Sequence, residues 1–155
     1  MFSFFKKVPP AKGGALEQAI RVHLKTADDD ELNGVLAIAG LVVKVAMEDA
    51  DFATEEESFI RAELLKVGSL GQAGVDAIVG VMRAHAKTIA EADDGSYARW
   101  LGEKRDRAFC IAVLEMLVHV ARAHAGIDAR ERELLGRVAT GMGLTEDDVS
   151  RLAAG

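Results

Sequence analysis

Beyond Pro10 the chain contains no proline, because its two prolines are the pair Pro9-Pro10. Nothing after residue 10 therefore interrupts a helix by removing an N–H or clashing with the preceding turn. Aromatic residues are only 5% of the chain, although half of it is hydrophobic. The core must then be built from Leu, Val, Ile, Ala and Met, a composition suited to close helix packing. A single cysteine, Cys110, excludes an internal disulfide, and no Cys/His spacing suits zinc. Cys110 lies within the apolar run AFCIAVLEMLVHV, where a buried free thiol is expected rather than a nucleophile. Positive charge is also short: the net charge of −6 excludes a basic stripe able to displace counterions from nucleic acid.

What is present is mostly helical periodicity. At 155 residues the chain is long enough to bury a core without staples, and one domain is expected over residues 15–155. A flexible arm is expected at 1–14. Its start, MFSFFKKVPP, is apolar and basic but too short for a signal peptide or a membrane span, so the expected compartment is the cytoplasm. Phe2, Phe4 and Phe5 beside Lys6 and Lys7 leave peripheral membrane contact as a minor alternative to packing on the domain itself.

Leu16, Ile20 and Leu24 recur at helical spacing over 15–27. Asp28-Asp29-Asp30 suits a helix start, since carboxylates accept from free N–H groups and match the positive helix end. A helix over 30–48 is apolar nearly all round and is therefore central. Further helices are expected at 54–67, 72–91, a short segment through Trp100 and Leu101, 105–124, 129–142 and 146–154. Gly68 and Gly143 stand at expected helix ends. Asp128 with Glu131, and Thr145 with Asp148, have the spacing of helix-start boxes.

The chain also repeats itself. LVVKVAMEDADFATEEESFI (41–60) lies over MLVHVARAHAGIDARERELL (116–135) at a constant offset. Val43, Val45, Ala46, Ala50 and Glu56 meet identical residues at Val118, Val120, Ala121, Ala125 and Glu131. With one inserted residue near Ser69, Val75 and Ile78 pair with Val149 and Leu152. The expected fold is an all-α bundle of about seven to eight helices, built from two pseudo-symmetric three-helix repeats.

The two copies differ in their chemistry. EDADFATEEE (48–57) holds six carboxylates in ten residues with no basic residue. Hard divalent cations take oxygen ligands, and Asp49, Asp51 and Glu56, with Glu55 as a fourth, could supply them. The alternative is a solvated helix start with a Thr54–Glu57 box. The segment is no EF-hand, because the central glycine and the final glutamate of that loop are missing. In the second copy Asp128, Glu131 and Glu133 lie among Arg130, Arg132 and Arg137, the pattern of caps and surface ion pairs. His119 and His124 are five apart and do not share a helix face as a ligand pair would.

Two corners of the form Asp-Gly-x-hydrophobic-x-x-x-Glu, each after an apolar helix, resemble the TerB tellurite-resistance family of small bacterial helical proteins. The slots hold Asp49, Ala50, Asp51, Phe52 and Glu56 in the first half. They hold His124, Ala125, Gly126, Ile127 and Glu131 in the second, so alanine stands in both glycine slots. The resemblance spans about residue 15 to 154 and includes Gly143-Leu144. It implies a cytoplasmic stress-response or tellurite-resistance role, with paired acidic corners as cation-binding positions. The repeat would bring Glu131 toward Glu56, giving a candidate metal set of Asp49, Asp51, Glu56 and Glu131. No catalytic constellation and no organic cofactor are expected. The competing reading is a non-catalytic scaffold presenting an acidic face to a protein partner, without metal.

Overall fold

Carboxylates open most of the long helices in the computed structural model of the chain. It describes residues 14–24, 28–49, 54–66, 70–93 and 95–154, without the side chains at 49, 54–56, 59 and 123–125. Among the described residues there are nine α-helices and no strand. They are α1 (Ala15–His23), α2 (Asp29–Ala46), α3 (Thr54–Leu65), α4 (Gly71–Ala84), α5 (Ala86–Ala92), α6 (Ser96–Lys104), α7 (Arg107–Ala125), α8 (Ala129–Gly141) and α9 (Glu146–Ala154). A 3-10 turn, Met47–Asp49, extends α2. The arm expected at 1–14 and the expected cap Gly68 lie outside the described residues, apart from Gly14, which precedes α1.

Asp28 Oδ1 accepts from the Glu31 N–H at 2.8 Å and starts α2, and Asp106 Oδ1 accepts from Phe109 N–H at 2.9 Å to start α7. At α9 the Thr145 Oγ1 accepts from the Asp148 N–H at 3.2 Å, while Asp148 Oδ2 accepts from the Thr145 N–H at 2.9 Å. Each cap satisfies donors that helix geometry leaves without an internal acceptor. At the other end of α8, Gly143 adopts φ +81°, conformational space that side chains disfavour. The Leu144 N–H then reaches Ala139 O at 2.8 Å and the Gly143 N–H reaches Thr140 O at 3.0 Å. This double closure absorbs carbonyls that the helix end would otherwise leave open.

α2 and α7 form the centre and pack on each other. Around them lie α1, α5, α6 and α8 on α2, and α3, α6, α8 and α9 on α7. The core draws on every helix, from Leu16 and Ile20 in α1 to Val149 in α9. The repeated positions Val43, Val45, Ala46, Val118, Val120 and Ala121 are all buried, so the internal identity falls on the core faces of the two central helices. Among the described residues the buried aromatics are Tyr97 and Trp100 of α6, and the Tyr97 ring lies directly on Gly40 of α2. A Cβ built at Gly40 would overlap that ring, so the absence of a side chain is what lets α6 approach α2.

The single helix expected at 72–91 is two helices, α4 and α5, separated at His85 (φ −122°, ψ 23°). Its apolar positions Val75, Ile78, Val79, Met82, Ala86 and Ile89 continue one helical stripe, so periodicity does not reveal the break. The two parts address different partners: α4 packs on α1 and α3, α5 on α2. α1 ends at His23, short of the expected 27, and α6 runs on to Lys104. The order of helix, corner, helix, helix recurs in α2–α3–α4 and α7–α8–α9. Packing differs between the two: α8 and α9 both lie on α7, whereas α3 packs on α4 and α7, and α4 on α1 and α3. The packing therefore does not establish pseudo-symmetric repeats. No described helix is long and apolar enough to cross a membrane.

Candidate functional site

The two inter-helix corners are where the sequence concentrates unequal chemistry. The first begins as α2 tightens into the Met47–Asp49 turn and ends where α3 starts at Thr54. Asp51 lies outside the described residues, as do the side chains of Asp49, Glu55 and Glu56. Asp49 is placed by its backbone at the end of the turn and Glu56 in the first turn of α3. The second corner is described more fully. Gly126 ends α7 with φ +98°, so the left-handed residue is Gly126 and not the preceding Ala125, the glycine slot of the corner pattern. That shift by one residue removes the steric penalty alanine would bear.

Asp128 then caps α8 in a reciprocal box. Its Oδ1 accepts from the Glu131 N–H at 2.8 Å, and Glu131 Oε1 accepts from the Asp128 N–H at 3.0 Å. Glu131 is 1% exposed. Its carboxylate thus has a structural task that any cation would have to share. Arg130, beside it, points across to the first corner: its Nη2 lies 3.5 Å from Glu48 O. One arginine side chain therefore spans the distance between the second corner and the start of the first.

The charged groups next to the first corner are committed to holding helices together. Glu57, one residue beyond Glu56, accepts at Oε2 from Arg61 at 3.0 Å and at Oε1 from Arg83 Nε at 2.9 Å, tying α3 to α4. Arg61 also pairs with Asp76 on α4. The Arg83 hydrogen bond, then that of Arg61, holds the Glu57 carboxyl below the usual carboxylate range. Arg61, then Gln72, does the same for Asp76. Elsewhere Asp148 is held well below the usual range, first by the Thr145 N–H and then by Arg107 and Arg151. These shifts follow ion pairs and caps, and they mark architecture more than reactivity.

Among the described residues no group of three or more His, Cys, Asp or Glu side chains converges as a metal cluster would. His119 is exposed on α7, and the His124 side chain is outside the description. Cys110 is buried against α6, its Sγ 3.6 Å from Leu101 O, and burial pushes its thiol pKa up. It is the inert apolar thiol that its sequence setting implies.

The pairing of two charged residues escaped the sequence reading, although the polar link that holds Asp93 was expected to cap the short helix through Trp100 and Leu101. Lys44 of α2 and Asp93, between α5 and α6, are joined at 2.8 Å across 49 residues of chain. No short-range pattern links them. Their signal was a lysine set within the apolar stretch of α2 from Val35 to Ala46 and an aspartate ahead of Gly95.

The chain as a whole finds no match among the curated proteins or the solved structures compared with it. A family model described as tellurite resistance protein TerB matches residues 35–154. That span takes in both corners and helices α3 to α9 in full. With more than half of its length matched, the chain belongs to the TerB tellurite resistance family.

Proposed function

We propose that this TerB-family chain is a non-catalytic, cytoplasmic stress-response protein whose first corner takes up a divalent cation. Asp49, Asp51 and Glu56 are its primary oxygen donors, and Glu131 approaches from the second corner. The observation that carries this reading is the contact of Arg130 Nη2 with Glu48 O at 3.5 Å. It supports the two corners lying side by side. It also supports a fit to positive charge, because a guanidinium already stands against an oxygen of the first corner.

The donor set suits a hard cation: carboxylates and a main-chain carbonyl at a turn are the ligands calcium and magnesium prefer. When bound, such an ion would neutralise a segment carrying six carboxylates in ten residues. Two features set the affinity low. Glu131 already holds the Asp128 N–H at 3.0 Å, and Arg130 repels an incoming ion from close range. Weak, reversible uptake fits a sensing role better than a permanent structural ion.

The test is calorimetric titration of chelator-treated protein with calcium, magnesium, manganese and zinc separately. Saturable heat with one of the hard cations supports the reading. Absence of heat with all four, together with capture of a protein partner by the same acidic segment, contradicts it and favours the scaffold alternative.

A further inference from the structure

Lined by none of the candidate cation ligands, a groove of about 870 Å³ runs between α2, α6 and α8, reaching Ala129 at the start of α8. That volume lies within the range that small-molecule sites occupy. Its apolar lining includes Leu41, Leu134 and Val138, and Lys44, Arg99, Arg132 and Arg137 also line it. In a chain with 25 acidic and 19 basic side chains, this concentration of cations in one concavity runs against the overall balance.

The acidic members of the lining are Asp93, Glu133 and Glu146. Two are answered from within the groove: Asp93 by Lys44 at 2.8 Å and Glu133 by Arg137 at 3.7 Å. The Glu146 carboxylate lies over Gly136. Arg132 donates to the Ser150 hydroxyl at 2.6 Å and has no carboxylate partner within 4.0 Å among the described residues. Lys44 contributes at the groove wall. Its ammonium has three donors, and Asp93 takes two of them, at Oδ2 (2.8 Å) and at its main-chain oxygen (3.3 Å). The Lys44 side chain is 24% exposed and lines the groove, while the Asp93 side chain is 1% exposed.

We propose that this groove binds a small molecule carrying a phosphate or carboxylate head on an apolar body. The head is held by the Lys44 ammonium and the guanidinium of Arg132, with Arg137 and Arg99 at the rim. The body lies on Ala129, Val138 and the aliphatic stems of Arg132 and Arg137, with Leu41 and Leu134 buried beneath. Guanidinium forks match both head groups with paired, charge-assisted hydrogen bonds. The fixed Lys44–Asp93 pair supplies a pre-oriented donor at low entropic cost. This site is separate from the proposed cation corner and stands whether or not that corner binds an ion.

The experiment is a titration followed by amide NMR shifts, using phenyl phosphate, inorganic phosphate and benzyl alcohol as probes. Phenyl phosphate is expected to shift the amides of Gly95, Gly136 and Gly141 saturably, with Kd about 1 mM or tighter. Inorganic phosphate should bind more weakly at the same residues, and benzyl alcohol should not saturate. The surface double variant Arg132→Gln/Arg137→Gln should weaken phenyl phosphate by about tenfold, and Arg99→Gln should weaken it as well. Melting of each variant by circular dichroism checks that the fold persists. Shifts that fail to saturate, that map outside the groove, or that keep wild-type affinity in both variants would overturn the proposal. Benzyl alcohol binding as well as phenyl phosphate would overturn it too.

Discussion

Lys44 Nζ lies 2.8 Å from Asp93 Oδ2, joining the middle of the protein, on α2, to the link between α5 and α6. The Asp93 carboxylate also accepts from the Gly95 N–H at 3.2 Å and the Tyr97 N–H at 3.4 Å, so it opens α6 as well. One buried carboxylate therefore sets both the position and the start of the helix that carries Tyr97 and Trp100.

Removing the cation should cost more than removing the pair. Lys44→Met strands the Asp93 carboxylate and is expected to lower unfolding free energy by about 3 kcal/mol, as breaking a buried pair does. Lys44→Met with Asp93→Asn should recover part of that loss. Urea unfolding of the two single variants and the double variant gives the coupling. Additive losses would show that the pair does not act as a unit.

Asp148 predicts an acid-side weakness. Its carboxyl is held below the ordinary aspartate range by the Thr145 N–H, Arg107 and Arg151. A depressed folded pKa contributes stability above the unfolded value, near about 4, and that contribution is lost as pH falls through the folded value. Asp148→Asn should therefore be less stable than wild type at pH 7, with the gap shrinking as pH falls below about 4. Thermal melts across that window check it, and a pH-independent gap would contradict it.

Two helix glycines should respond in opposite directions to alanine. At Gly40 a Cβ overlaps the Tyr97 ring, so Gly40→Ala should destabilise by about 1–3 kcal/mol, the cost of overpacking. At Gly80 on α4 a Cβ meets nothing within 4 Å, so Gly80→Ala should stabilise by about 0.5–1 kcal/mol through helix propensity. Chemical denaturation measures both, and a gain at Gly40 would refute the α2–α6 packing described above.

The architecture was legible where its cause is local. Asp28, Asp128 and Thr145 marked helix starts because a cap needs only the residues within one turn of it. α2 was identifiable as central because apolar residues cover nearly its whole circumference. The His85 break was not, since the apolar stripe passes through it unchanged. Nor were Lys44–Asp93 or the Glu57–Arg83 tie, because pairs 49 and 26 residues apart depend on how helices stack. For the candidate cation set, sequence identified the carboxylate density and the Asp128–Glu131 box, but not that this second role buries Glu131.

That second role can be separated from ligation. Asp128→Ala removes the cap and should lower stability by about 1 kcal/mol while leaving cation uptake at the first corner intact. Glu131→Gln keeps an oxygen able to accept from the Asp128 N–H, so it should cost little stability and weaken cation uptake. Melting curves and calorimetry on the same samples resolve the two. Equal loss of stability in both variants, with unchanged uptake, would leave Glu131 a cap alone.

The cation-binding account is tested most directly by calorimetric titration of calcium and magnesium into chelator-treated wild-type protein and Asp49→Asn/Glu56→Gln. The account predicts saturable, salt-sensitive binding by the wild type and its loss in the double variant, with both proteins melting alike. Equal heats from the two proteins, or none from the wild type, would contradict it.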